Sequence, residues 1–282
     1  MNILITGANG YVGKALSERL RIDNNLFYIK NATSFSFKDD TIYLNLLDSS
    51  QVEELCNHAL NIDIIIHTAS KMASPETIDD MSILYDNIKI YENLTKIAKN
   101  CNPKKIINFS SMAVYPNIDG EYTEESVINP STNGDAFYGL SKVCGENILN
   151  FSLRGSSTKI IHLRVGQIYS DEMADNRLYK VMKKELEEKN QITVYGNGER
   201  VSNFIHMDTL LEIIGFFIKI ELDNSRGIYN IGENNYSYDE FAKMIIKKYG
   251  NKESIIIRNE MGAKSKFILN TNKFEEFRKR NV

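Results

Sequence analysis

Tyr138-x-x-x-Lys142, the pair Ser110-Ser111 upstream of it, and the run Gly7-x-x-Gly10-x-x-Gly13 near the start of the chain are the residues whose types and spacing could do chemistry. Tyr138 and Lys142 are four apart, which on a helix places both on one face. A phenol titrates near pH ~10 when unperturbed, and a neighbouring ammonium favours its ionised form and lowers that value. Lys142 is therefore expected to tune Tyr138, while its long side chain reaches the ribose of a dinucleotide. Ser111 is expected to hydrogen-bond the substrate oxygen and share its developing charge. The glycines suit a tight turn whose backbone approaches a pyrophosphate, leaving helix-terminal N–H groups to hold it. Taken together, the three segments describe a nicotinamide pocket with its own proton donor, the nicotinamide exchanging the hydride.

Such residues need a scaffold, and the pattern of the chain supplies one. Asn2-Ile3-Leu4-Ile5-Thr6 reads as a short strand, and Val12, Leu16 and Leu20 recur at helical spacing beyond the glycines. Further strands are predicted at Leu26–Ile29, Thr41–Leu46, Ile62–Ala69, Lys105–Ser110, Lys159–Val165 and Gly227–Ile231. Several are continuous apolar runs, as in a parallel sheet covered on both faces. Helices are predicted near Ser49–Ala59, Asp79–Lys99 and Phe137–Leu153, then at Leu178–Lys189, Thr209–Lys219 and Tyr238–Lys248. The fold class is α/β: a Rossmann-like, doubly wound parallel sheet over residues 1–166, joined by a strand and helix from about 203–232, with a smaller C-terminal substrate-binding lobe over most of 167–282. The two lobes are expected to share one core. The proposed chemistry falls at the carboxyl ends of the strands, where open α/β sheets bind ligands.

Composition excludes several alternatives. With 282 residues, 42% of them hydrophobic, the chain can bury a sizeable core, and a net charge of −3 offers no basic footprint for nucleic acid. Cys56, Cys101 and Cys144 are far apart with no C-x-x-C pair, so neither disulfides nor a metal site is expected. His67 and His206 are read as local hydrogen-bonding groups. No apolar run is long enough to cross a membrane and no leader is evident, so a cytoplasmic protein is expected. Leu140, Cys144, Ile148 and Phe151 form a stripe on the Tyr138 helix, and Gly139 and Gly145 within it point to close packing against a cofactor or a neighbouring helix.

The order of these segments resembles the extended short-chain dehydrogenase/reductase family, which contains nucleotide-sugar epimerases, dehydratases and 4-reductases. Gly7-Ala8-Asn9-Gly10-Tyr11-Val12-Gly13 is similar to its cofactor turn, His67-Thr68-Ala69-Ser70 to its cofactor wall, and Asp86-Asn87-Ile88 to the helix start whose Asn supports the site. Ser110-Ser111-Met112-Ala113-Val114-Tyr115-Pro116 resembles the catalytic Ser/Thr segment, with Ser111 in the catalytic place. Leu163-Arg164-Val165-Gly166-Gln167-Ile168-Tyr169, Val194-Tyr195-Gly196-Asn197-Gly198-Glu199-Arg200 and Asn203-Phe204-Ile205-His206-Met207-Asp208 resemble substrate-lobe segments. The resemblance implies a catalytic set of Ser111, Tyr138 and Lys142. It implies a dinucleotide held by Gly7, Gly10, Tyr11, Val12 and Gly13, by Lys30, Asn31, Asn45 and Leu46, by Thr68, Ala69, Ser70 and Asn87, and by Val165 together with Tyr138 and Lys142. A nucleoside-diphosphate sugar would meet Ser111, Gln167 and Arg200, with Arg258 a further candidate. A homodimer through the Tyr138 and Asn87 helices is expected.

Departures from the family narrow the reaction. Met112 and Ala113 follow Ser111 where the 4,6-dehydratases carry an acid pair, and neither can move a proton. Ser202 stands where many sugar-nucleotide binders have an arginine, which leaves Arg200 as the nearest phosphate clamp. The second strand ends in Lys30-Asn31 rather than a carboxylate, so NADP(H) is favoured over NAD(H). The leading reading is reduction of a nucleotide-linked 4-keto-deoxysugar with Tyr138 as proton donor. The alternatives are 4-epimerisation by the same residues and a non-catalytic NADP sensor.

Overall fold

The computed structural model describes residues 1–74, 76–221 and 227–281. Its main sheet contains β1 (Asn2–Thr6), β2 (Asn25–Lys30), β3 (Ser36–Lys38), β4 (Thr41–Tyr43), β5 (Ile64–His67), β6 (Lys105–Ser111), β8 (Lys159–Val165) and β12 (Gly227–Ile231). The spatial order is β12-β8-β6-β5-β1-β2-β4-β3, parallel except for the antiparallel β3–β4 pair. From β1 the chain winds first toward β4 and then back across β5, β6, β8 and β12. The order therefore reverses between β1 and β5, and a crevice opens there at the carboxyl ends of the strands.

Neighbouring residues of each strand feed opposite layers. Ile3, Ile5, Ile64, Ile66 and Ile107 pack with Leu16, Leu20, Leu210, Ile214 and Phe217 from α1 (Tyr11–Leu20) and α6 (Met207–Lys219), and with Phe274 from α8 (Asn272–Arg280). Leu4, Ile65 and Ile106 pack on the other face with α2 (Ser49–Cys56), α3 (Ser82–Cys101) and α4 (Ala136–Ser152). Both faces being covered explains why these strands read as unbroken apolar runs. All six strands predicted beyond β1 join this sheet. The stretch Thr41–Leu46 is shorter than predicted, ending at Tyr43, because the Asn45 side chain accepts from Leu47 N–H and turns the chain into α2, which Asp48 caps.

The lobe is built from α5 (Leu178–Lys189), β10 (Gln191–Tyr195), α7 (Tyr238–Tyr249) and β14 (Ile255–Asn259). Contrary to the expectation of one shared core, it encloses a cluster of its own, including Met182, Leu186, Ile192, Val194, Phe241 and Ile245. β11 (Val201–His206) is the common wall: alternation along the strand sends Phe204 into the lobe cluster and Ile205 into the main core. It pairs with β9 (Gln167–Tyr169) and β13 (Asn234–Ser237), while β7 (Gly120–Tyr122) pairs with β15 (Phe267–Leu269). These short strands offer too few alternations to be visible in the sequence.

The remaining sequence features have local explanations. A Cβ on Gly145 would run into the Tyr91 ring of α3, and one on Gly139 into the Ala113 carbonyl. The three cysteines are free and half-buried. Among the described residues no helix is long and apolar enough to cross a membrane, and no cluster of side chains could hold a metal.

Candidate active site

The glycine turn joins β1 to α1. Gly7 has φ +72°, a conformation that L side chains rarely adopt, and Gly10 N–H closes the turn onto the Gly7 carbonyl at 2.9 Å. A Cβ on Gly13 would strike the same carbonyl. Gly10 caps α1 without a side chain, and the first turn holds no acidic residue. The first N–H groups of α1 therefore face outward with a partial positive charge and no internal acceptor, a cradle that fits a pyrophosphate.

From this turn a cavity of about 800 Å³ runs past Thr68 and Ser70 to Ser111, Tyr138, Lys142 and Val165 and on into the lobe at Gln167, Arg200 and Ser202. Gly10, Tyr11, Val12 and Gly13 line its near end. Other residues assigned to the cofactor lie elsewhere. Gly7 and Ala69 sit behind the turn, where a Cβ on Gly7 would meet Ala69 N. Asn31 is exposed at the end of β2, and Lys30 lies over the Tyr28 ring. Leu46 is a core residue whose carbonyl accepts from Asn93, and Asn45 N–H is bonded to Gln51. Asn87 is buried and does not reach the cavity. Its amide bonds Ser70 Oγ, both backbone groups of Lys71 and Ser141 Oγ, tying the β5–α3 loop to α4.

Tyr138 and Lys142 share the inner face of α4, and Ser111 ends β6 opposite them. The Ser111 hydroxyl accepts from Ala113 N–H, capping the short turn that follows β6. The Lys142 ammonium donates to the Phe109 carbonyl at 2.9 Å and lies 5.3 Å from the centre of the Tyr138 ring. Lys142 is not among the groups that lower the Tyr138 phenol in this geometry. Burial, followed by the Asp135 carboxylate, holds the phenol above its ordinary value, while Arg177 and a hydrogen bond with Ser111 act in the lowering direction. The same burial pushes Lys142 down to about 7 against the pull of Glu146. Asp135 and Arg177 were not among the residues anticipated, since neither belongs to a spaced motif; only the fold brings them to the phenol.

A buried network behind α4 accounts for Ser110. Ser110 Oγ donates to Glu146 Oε1 at 2.5 Å, and Arg164 bonds both Glu146 oxygens at 3.0 and 2.8 Å. Arg164 also donates to the Tyr115 hydroxyl, which donates to Asn230 Oδ1. Burial tends to raise the Glu146 pKa, but Arg164 and Ser110 hold it below its usual range. Lys142 and Glu146, one turn apart, thus grip consecutive residues of β6, Phe109 and Ser110, just before Ser111.

In the lobe, Gln167 Nε2 donates to Ser202 Oγ at 2.8 Å. Arg200 Nε is buried without a hydrogen-bond partner, and its guanidinium lies 5.4 Å from the Tyr238 ring centre. Arg258 is not at this site: it is half-exposed and paired with Asp239 at 2.5 Å. His206 accepts from Asp208 N–H at the start of α6, whereas His67 is buried against Thr6 Oγ1 at 2.7 Å.

A doubly wound sheet with a glycine cradle at its switch point and a Ser–Tyr–Lys set in the adjoining cavity outlines a dinucleotide-binding architecture with a proton-transferring group beside it. The profile of the NAD dependent epimerase/dehydratase family matches residues 3–232. The chain belongs to that family and is an enzyme of it. It is 27% identical to dTDP-4-dehydro-6-deoxyglucose reductase of Escherichia coli, over 82% of this chain and 76% of that one. It is 26% identical to GDP-L-colitose synthase of Yersinia pseudotuberculosis, over 96% and 90%. Its fold is that of the UDP-glucose 4-epimerase of Thermotoga maritima solved with UDP-glucose, with TM-score 0.78, 20% identity, and coverage of 98% of this chain and 92% of that one.

Proposed function

We propose that this protein modifies a nucleotide sugar and, more narrowly, reduces a nucleotide-linked 4-keto-deoxysugar at the expense of NAD(P)H. The observation that carries the reading is the convergence of Ser111, Tyr138 and Lys142 in one cavity with Arg200, whose buried Nε awaits an acceptor. A sugar-bound diphosphate is such an acceptor. The dinucleotide, when bound, supplies the hydride. Tyr138 gives its proton to the oxygen at C4, Ser111 donates a hydrogen bond to the same oxygen, and Lys142 bonds the ribose. Met112 and Ala113 leave no acid or base beside Ser111 for dehydration. The relatives named as a 4-keto sugar reductase and a colitose synthase support this reading.

NADP(H) is the preferred carrier in this proposal, because β2 ends in Lys30-Asn31, where a carboxylate would repel a 2′-phosphate. Several structural neighbours are complexes with NAD, so both forms belong in the test. Relatives named UDP-glucose 4-epimerase favour a second reading, 4-epimerisation by the same three residues. The experiment is to mix enzyme, NADPH or NADH, and dTDP- or GDP-linked 4-keto-6-deoxysugars, and to follow the nicotinamide absorbance. Stoichiometric loss supports the reductase, whereas interconversion of UDP-hexoses with no net change supports the epimerase. Tyr138→Phe should lower turnover by about 10²–10⁴-fold while leaving dinucleotide binding intact. Unchanged turnover in that variant overturns the reading.

A homodimer through α3 and α4 is part of the proposal. Tyr85, Leu140 and Phe151 are 60%, 37% and 68% exposed on these helices, and a second copy of the chain would cover them.

A further inference from the structure

Asp135 is the only carboxylate lining the cavity among the described residues, beside the cations Lys142, Arg177 and Arg200. Both proposed ligands bring phosphates, which suit the cations and are repelled by an acid. A carboxylate there is matched instead by the uncharged part of a ligand. It occupies the N-cap of α4, where an Asp ordinarily accepts from the N–H groups of the first turn, yet its side chain makes no capping bond. Arg177 acts on it through space without forming an ion pair. The carboxylate is thus half-buried, bonded within the protein only to its own backbone N–H, and set one turn before Tyr138, on whose phenol its charge acts.

We propose that Asp135 is a specificity-determining residue: its carboxylate accepts a hydrogen bond from the C3 hydroxyl of the sugar, so that the enzyme selects 4-keto sugars carrying a donor beside the reacting carbon. The inference rests on the nucleotide-sugar reading and deepens it. With Tyr138 serving the oxygen at C4, a neighbouring acceptor meets a substituent of C3 or C5. C5 carries the ring oxygen, which donates nothing, and a C6 methyl in a deoxysugar. C3 alone offers a hydroxyl. Binding through that hydroxyl also fixes the rotation of the ring against Tyr138 and Ser111, since a charged acceptor gives a shorter and stronger bond than a neutral one.

The test compares dTDP-4-keto-6-deoxyglucose with its 3-deoxy counterpart in the wild-type enzyme, Asp135→Ala and Asp135→Asn, with NADPH binding measured by fluorescence in each. The wild type should favour the 3-hydroxy sugar by about 10- to 100-fold in kcat/KM, the worth of a hydrogen bond to a charged group. Asp135→Ala should erase that preference, because any change that acts through the Tyr138 phenol falls on both sugars alike while only the 3-hydroxy substrate loses a bond; NADPH binding should be unchanged, and Asp135→Asn should restore part of the preference. Equal losses on both sugars, or a preference that survives in Asp135→Ala, overturn the inference while the reductase reading stands. Failure of the wild type to reduce either sugar with either dinucleotide overturns the reading beneath it, and this inference with it.

Discussion

Lys142 is the residue whose surroundings depart furthest from what its spacing suggests. Its ammonium is fully enclosed, bonded to a backbone carbonyl, and shifted to about 7 by burial. Only its protonated form attracts an anionic dinucleotide, so binding draws a proton onto the free enzyme as pH rises past that value. The apparent Kd for NADPH should rise above pH ~7, by up to about tenfold per pH unit. Fluorescence titration across pH checks this, with Lys142→Met expected to bind weakly and without the slope. A pH-independent wild-type Kd would contradict the assignment. The phenol held high by burial has a related meaning: Tyr138 is kept protonated, the state a proton donor needs before the keto sugar arrives.

At the scale of elements, α4 and β6 work as one rigid unit. Phe109, Ser110 and Ser111 follow one another along β6, and the first two are bonded by Lys142 and Glu146 from successive turns of α4. Arg164 of β8 closes the arrangement, its pair with Glu146 buried on both sides at 1% and 4% exposure. Such a pair is costly to break from one side, because the surviving charge is left in a dry core. Glu146→Gln should therefore destabilise the fold by about 3–5 kcal/mol, whereas replacing Glu146 and Arg164 together by apolar residues should cost less. Because the folded-state pKa of Glu146 is depressed, its contribution is complete above the unfolded value of about 4.3 and lost as pH falls through the folded one. Urea melts of wild type and Glu146→Gln at neutral and acidic pH should converge as the pH drops. A constant gap would place the stabilisation elsewhere.

At the scale of the whole molecule, the lobe and the main sheet meet along β11 and across the cavity, where Tyr11 in the glycine turn donates to Ser170 at 2.7 Å. On α3 and α4 the apolar residues Tyr85, Leu140 and Phe151 are presented to solvent. A second copy of the chain would cover them and stiffen the helix that carries Tyr138. Sedimentation at micromolar concentration should show a dimer for the wild type and a monomer for Leu140→Glu combined with Phe151→Glu. A monomeric wild type would dismiss the proposed assembly.

What was legible in the chain was whatever depends on local repetition. The main-sheet strands are unbroken apolar runs because both their faces are covered, and Gly7, Gly10 and Gly13 are required by the backbone of a single turn. Tyr138 and Lys142 share a face because helical geometry demands it. The tertiary structure alone decided the rest. The short lobe strands owe their pairing to distant partners, and the lobe its separate core to the alternation of Phe204 and Ile205. Ser110 is an anchor because Glu146 and Arg164 reach it, and Asp135 and Arg177 face Tyr138 because two separate loops close over one cavity. Burial and charge at a point depend on everything that surrounds it, and no spacing along the chain encodes that sum.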